Sequence, residues 1–140
     1  LHAWSGVSND ILSVILLDTS NMEINELAVV VKIASFDSKN SNRDSNTIEV
    51  TEALKYPNVS LSSKSIKQVN DKLTVKGTLK FHGISKEVIF DAEKKIIKDE
   101  IKVTGNFEIL MTDFKIKPPK LLGIATDKDI NLSFTVFYKL

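Results

Sequence analysis

Few side chains in this chain are equipped for covalent or metal chemistry. Its 140 residues include no cysteine and two histidines, His2 and His82. Without a thiol there is no disulfide framework, no thiolate nucleophile and no cysteine metal site. The two histidines lack the H-x-x-x-H spacing by which one helix face offers two imidazoles to zinc, so no metal is expected. His82 stands beside Gly83 and reads as a turn residue that bonds the backbone rather than as a catalytic base. His2 reads as a wall or mouth residue. Asp127-Lys128-Asp129 lacks the ligand spacing of a calcium loop and reads as a solvated turn. With no nucleophile–base pair in view, no catalytic residue and no cofactor are expected, and the chain is not read as an enzyme.

The polar residues that remain suit a binding role. Arg43-Asp44 has two readings. The pair could line a ligand's head group, or it could pin a loop to a helix start, where Asp44 is favoured by the positive helix end. The second is the commoner use of such pairs. Lys94 follows Phe90 and Ala92 on an apolar set yet is charged. It is either a mouth residue for a head group or a bulge turned to solvent, the latter being preferred. Asn58-Val59-Ser60 and Asn131-Leu132-Ser133 match the glycosylation sequon, a pattern frequent by chance. Pro118-Pro119 is expected to stiffen the loop before the last strand.

The elements that must position these residues announce themselves by alternation. Leu73, Val75, Gly77, Leu79 and Phe81 point one way, with Lys72, Thr74, Lys76, Thr78 and Lys80 opposite. Ile101, Val103, Gly105, Phe107, Ile109 and Met111 repeat the pattern, as do Ile130, Leu132, Phe134, Val136 and Tyr138. A period of two means strands with one dry and one wet face, the signature of antiparallel sheets. Eight strands are expected, at 1–6, 11–18, 26–36, 58–69, 72–82, 87–97, 100–114 and 129–139. Hairpins are expected at Asn70-Asp71 and Lys98-Asp99, with a longer turn over 82–87. That longer turn pairs Phe81 with Val88 and Gly77 with Ala92, while the next hairpin sets Ala92 against Gly105. Three small residues would then lie side by side, leaving space. The alternative is that the glycines mark bends in the wall.

The polar run 37–46 is loop-like. A short helix is expected from Thr47 to Lys55, capped by Asn46 with Glu49 as its capping-box partner, and stopped by Pro57. One domain spanning 1–140 fits the length, an all-β sandwich or barrel. Apolar residues make up 42% and the net charge is +1, so no basic face for nucleic acid is indicated. No apolar run reaches the ~20 residues of a membrane span. The chain opens at Leu1 without a visible leader, which is compatible with a processed or trimmed product.

Several segments, in order, resemble the YceI-like family. They are the strand end Ser35-Phe36-Asp37-Ser38-Lys39-Asn40, the turn Asn40-Ser41-Asn42-Arg43-Asp44 and the helix end Leu54-Lys55-Tyr56-Pro57. Val75-Lys76-Gly77-Thr78-Leu79 with His82-Gly83-Ile84-Ser85, then Thr112-Asp113-Phe114 and the stretch Asp127 to Tyr138, continue the match. Lys39 stands where the family usually has glycine, so the turn there is expected to be built differently. Asn46 stands where a histidine is common. The resemblance implies an eight-stranded antiparallel lipocalin-like barrel with one short helix. It also implies a long apolar ligand in the lumen and export to the periplasm or secretion.

The leading expectation is therefore a carrier of a polyisoprenoid, quinone-like or fatty-acyl lipid. Lumen candidates are Val75, Gly77, Leu79, Phe81, Phe90, Ala92, Val103, Gly105, Phe107, Ile109 and Phe134. Head-group candidates at the mouth are Arg43, Asp44 and Lys94. The alternative is a filled-barrel structural or stress-related interaction protein without a ligand; an enzyme acting on a lipid or quinone ranks third. The expected partners are the apolar small molecule and, at most, a second copy in a homodimer.

Overall fold

A computed structural model describes residues 5–117, 120–121, 124–125 and 129–140. Seven strands form one antiparallel sheet: β1 (Ile11–Asp18), β2 (Glu23–Lys32), β3 (Asn58–Val69), β4 (Lys72–Phe81), β5 (Ile84–Ile97), β6 (Glu100–Leu110) and β9 (Asp129–Lys139), paired in that order. Two short strands, β7 (Lys120–Leu121) and β8 (Ile124–Ala125), pair with each other apart from it. One helix, α1 (Ser41–Val50), lies between β2 and β3, and short 3-10 helices follow β2 (Ile33–Ser35) and β6 (Met111–Phe114).

The alternation expected from sequence is present residue by residue in β4, where Leu73, Val75, Gly77, Leu79 and Phe81 are buried and their neighbours exposed. The sheet curls around these inward side chains. Ile24, Leu27, Val29, Leu61, Phe90, Ile101, Val103 and Ile109 join them in one core. Burying an aliphatic or aromatic side chain stabilises by roughly 1.5–3 kcal/mol. One face of each strand therefore suffices to hold the sheet. The edge strand β1 is different, because its outward Leu12, Val14 and Leu16 are exposed.

Where a closed barrel of eight strands was expected, the described residues form a curled half-barrel of seven. With every neighbouring pair antiparallel, an odd number of strands leaves the two edges, β1 and β9, running parallel, so the antiparallel ladder cannot simply close. The edges meet instead through side chains, the Ser13 Oγ lying beside the Tyr138 hydroxyl. The first expected strand, 1–6, falls partly outside the described residues. Ahead of β1, Val7 makes an isolated bridge, exchanging two backbone bonds with Asp37 (2.9 Å each). Ser8 Oγ accepts the Asp10 amide, a local bond that competes with a ladder. Pro118-Pro119, Asp127-Lys128 and His2 also lie outside the described residues.

Two further expectations move. The helix begins at Ser41, six residues early, because Asn40 and not Asn46 is its cap: the Asn40 side chain accepts from the Arg43 amide at 3.0 Å. The β4–β5 turn is two residues long, not six. His82 and Gly83 both take positive φ (55° and 73°), the requirement of a tight hairpin turn with right-handed strand twist. Lys39 also takes a positive φ of 64°, the conformation a glycine would permit. Its amide is held by the Asp37 carboxylate at 2.8 Å, so the turn keeps its shape without the glycine.

Candidate functional site

The concave face is apolar along most of its length. Val75, Leu79, Phe81, Phe90, Ala92, Val103 and Ile109 are buried on it, and Phe107 and Phe134 are half-buried there. The inward rows follow from the hairpin registers. Val75 faces Phe90, Leu73 faces Ala92, Ala92 faces Gly105, and Gly105 faces Phe134.

Gly77 departs from its expected place. With the two-residue turn it faces Val88, four positions from Ala92. The row of three small residues is therefore broken, and the space at both glycines is filled. A Cβ on Gly77 would lie 2.6 Å from the Ser62 carbonyl oxygen, because β3 bulges between Ser62 and Ser65 and presses inward. Ser63 Oγ fastens that bulge by donating to the Lys76 carbonyl at 2.6 Å. A Cβ on Gly105 would lie 2.5 Å from the ring of Phe134. Around Gly105 three rings gather: Phe90 stacks on Phe107 (4.6 Å between centroids, 20° apart) and meets Phe134 edge-on at 6.1 Å.

Beside these rings the wall is open. A cavity of about 670 Å³ lies between β5 and β6, lined by consecutive residues of each strand, Lys86 to Asp91 and Asn106 to Leu110, with Asp113, Phe114 and Asp129. Runs of consecutive residues mean that side chains of both sheet faces border it, as in a slot between two strand edges.

Lys94 stays in register opposite Val103 and is buried, 4% exposed, so the preferred reading of a bulge turned to solvent is corrected. Its ammonium donates to the Met22 carbonyl at 2.6 Å and lies 3.5 Å from the Gln68 Oε1, with no carboxylate in salt-bridge range among the described residues. Met22, in the β1–β2 turn, has a positive φ of 60°, so Lys94 ties down that turn. Arg43 and Asp44 do act on the same loop. The Asp44 carboxylate accepts from the amide (3.1 Å) and hydroxyl of Ser38, and Arg43 Nη2 donates to the Ser38 carbonyl at 3.2 Å. Both residues thus grip a buried serine that joins the loop to the start of α1.

Three polar residues escaped the sequence reading. Glu52 places its carboxylate on His82 Nε2, while His82 Nδ1 sits 2.7 Å from the Phe114 carbonyl oxygen. This links the turn after α1 to the β4–β5 hairpin and to the 3-10 helix. Gln68 bonds both the amide and the carbonyl of Ile24, at 2.9 Å each. Gln68 had a signal: it stands two residues after Ile66, as an inward polar residue. Glu52 had none, since thirty positions separate it from His82. Ser63 was hidden by the bulge, which shifts the alternation within β3. Among the described residues no three of His, Asp and Glu gather to hold a metal ion.

Residues 2–137 match the family described as the YceI-like domain. The chain is 31% identical over 95 residues to the UPF0312 protein plu2095 of Photorhabdus laumondii, covering 66% of this chain and 50% of that protein. It thus spans about half the length of the curated relatives it matches. The crystal structure of the Campylobacter jejuni YCEI protein superposes with a TM-score of 0.86 at 28% identity, covering all of this chain and 86% of the other. A polyisoprenoid binding domain from Saccharophagus degradans shares the fold, with a TM-score of 0.68 at 14% identity over 98% of both chains.

Proposed function

Because the chain belongs to the YceI-like domain family, we propose that it sequesters a single-chain apolar ligand against the concave face of its curled sheet. The observation that carries this reading is the apolar inner surface that ends at an open cavity of about 670 Å³, a volume typical of small-molecule sites. The Saccharophagus protein described as a polyisoprenoid binding domain supports it through a common fold. The ligand class is a polyisoprenoid, a quinone-like molecule or a fatty-acyl lipid. Sequestration needs no bond-making: each CH₂ removed from water contributes roughly 0.8 kcal/mol. In this reading an anionic head group meets Lys94, which is buried on the concave face and bonded to Met22, or Lys86, which borders the cavity opposite Leu79, while Arg43 and Asp44 shape the loop at the start of α1. Export to the periplasm or secretion, with transport as the role, belongs to the same reading.

A second reading, the filled barrel that binds a partner and no lipid, draws on the occupied space at Gly77 and Gly105. Organic extraction of protein purified without detergent, followed by mass spectrometry, separates the two. A stoichiometric apolar molecule supports the carrier; an extract that matches the buffer blank favours the filled barrel.

A further inference from the structure

The strand pairings are uneven, and the unevenness falls at the cavity. β4 and β5 are paired from Lys72↔Glu93 to Phe81↔Ile84, and β6 and β9 from Glu100↔Lys139 to Leu110↔Asp129. β5 and β6 are paired only from Ile97↔Glu100 to Ala92↔Gly105. Beyond that row, among the described residues, 84–91 and 106–110 run side by side without a ladder. Each strand stays with its other neighbour, so the twist between successive strands opens a slot between them.

The geometry points to this slot as a lateral portal through which the apolar chain enters the concave face, an assignment that rests on the carrier reading above. Three observations agree. The slot leads inward onto apolar side chains, Val88 and Ile109 beyond the Phe90–Phe107 stack. On its outer rim Ile89, 64% exposed, and Leu110, 43% exposed, set apolar groups among the polar Glu87, Asp91, Asn106 and Glu108. Widening it breaks no ladder bond between the described residues of β5 and β6, whereas parting β4 from β5 or β6 from β9 would strand donors and acceptors in an apolar wall. Its inner end is the stacked ring pair, placed where the ladder stops; its outer end is closed by the 3-10 helix Met111–Phe114, whose Phe114 is buried against Phe81. The competing route is the seam between β1 and β9, which also lacks a ladder.

The absence of native cysteine makes a direct test simple. Continuing the register from Ala92↔Gly105 sets Ile89 opposite Glu108 on the outer face. Ile89→Cys with Glu108→Cys is joined by a bismaleimide whose spacer a reductant cleaves, and uptake of a pyrene-tailed dodecanol is followed by stopped-flow fluorescence. A second variant, Leu12→Cys with Phe137→Cys, is joined across the seam in the same way. Thermal melts before and after cross-linking check that each protein remains folded. The portal predicts that the slot cross-link slows uptake by about tenfold or more and that reduction restores it, while the seam cross-link leaves the rate unchanged. An unchanged rate across the slot, or slowing by the seam cross-link alone, overturns the portal. Failure of the unmodified protein to take up the probe at all overturns the carrier reading, and the portal with it.

Discussion

At the scale of single residues, the two inward glycines both exclude a side chain, but against different obstacles. At Gly77 the obstacle to a side chain is a backbone oxygen held in a fastened bulge; at Gly105 it is the edge of an aromatic ring. A ring can rotate or slide, and a bulge tied by Ser63 cannot. Gly77→Ala should therefore destabilise by about 1–3 kcal/mol and Gly105→Ala by less, measured by urea unfolding; the reverse order would refute this reading of the bulge. Lys94 permits a second prediction. Its ammonium is buried and bonded to a carbonyl. Lys94→Met exchanges one hydrogen bond for relief of the cost of burying a charge, so stability should remain within about 1 kcal/mol of the parent. If Lys94 meets head groups, the same variant loses any preference for dodecanoate over dodecanol in competition binding, and an unchanged preference rejects that role. The alternation made Lys94 visible as an inward charge. It could not reveal Met22 as the partner, because that contact spans the interior between residues far apart in sequence.

At the scale of elements, legibility follows locality. The limits of β3 and β9, and the turns at Asn70-Asp71 and Lys98-Asp99, were readable because alternation and turn chemistry are local properties. The tight β4–β5 turn is not announced by its residues, because His82 takes a positive φ that non-glycine residues adopt only uncommonly, and the longer turn expected there displaces Gly77 by four positions along its partner. The helix start was displaced because Asn40 and Asn46 are both good caps, and the choice between them was made outside the helix. The grip of Arg43 and Asp44 on Ser38 fixes the chain ahead of Asn40. Asn40→Ala should cost about 1 kcal/mol of stability, and Asn46→Ala almost nothing, since it lies within α1. Equal effects would contradict the observed cap. The seam between β1 and β9 gives another expectation. Burial pushes the Tyr138 phenol above its ordinary value of 10.0. A group whose folded value is raised contributes stability that is complete below the unfolded value and is lost as pH rises through the folded one. Unfolding should therefore become easier above about pH 10, and Tyr138→Phe should remove that component while costing about 0.5–1.5 kcal/mol near neutrality through loss of the Ser13 contact. An alkaline limb of equal size in the Phe variant would disprove the assignment.

At the scale of the whole molecule, a curled sheet of seven strands has to bury one face without a full circle of hydrogen bonds. It does so with side-chain contacts at the β1–β9 seam and rings where β5 parts from β6. The apolar interior was legible from alternation, because burial of one face is written into every second residue. The opening between β5 and β6 was not, since it depends on which of two neighbours each strand follows, a consequence of twist summed over the sheet. Both the carrier role and the portal require an apolar chain held on the concave face, close to Phe90, Phe107 and Phe134. A crystal structure with a bromine-tipped dodecanol checks this without intermediary. An anomalous bromine peak is expected inside the curl, in contact with those rings. A peak confined to the outer face, or no peak at saturating ligand, would contradict it.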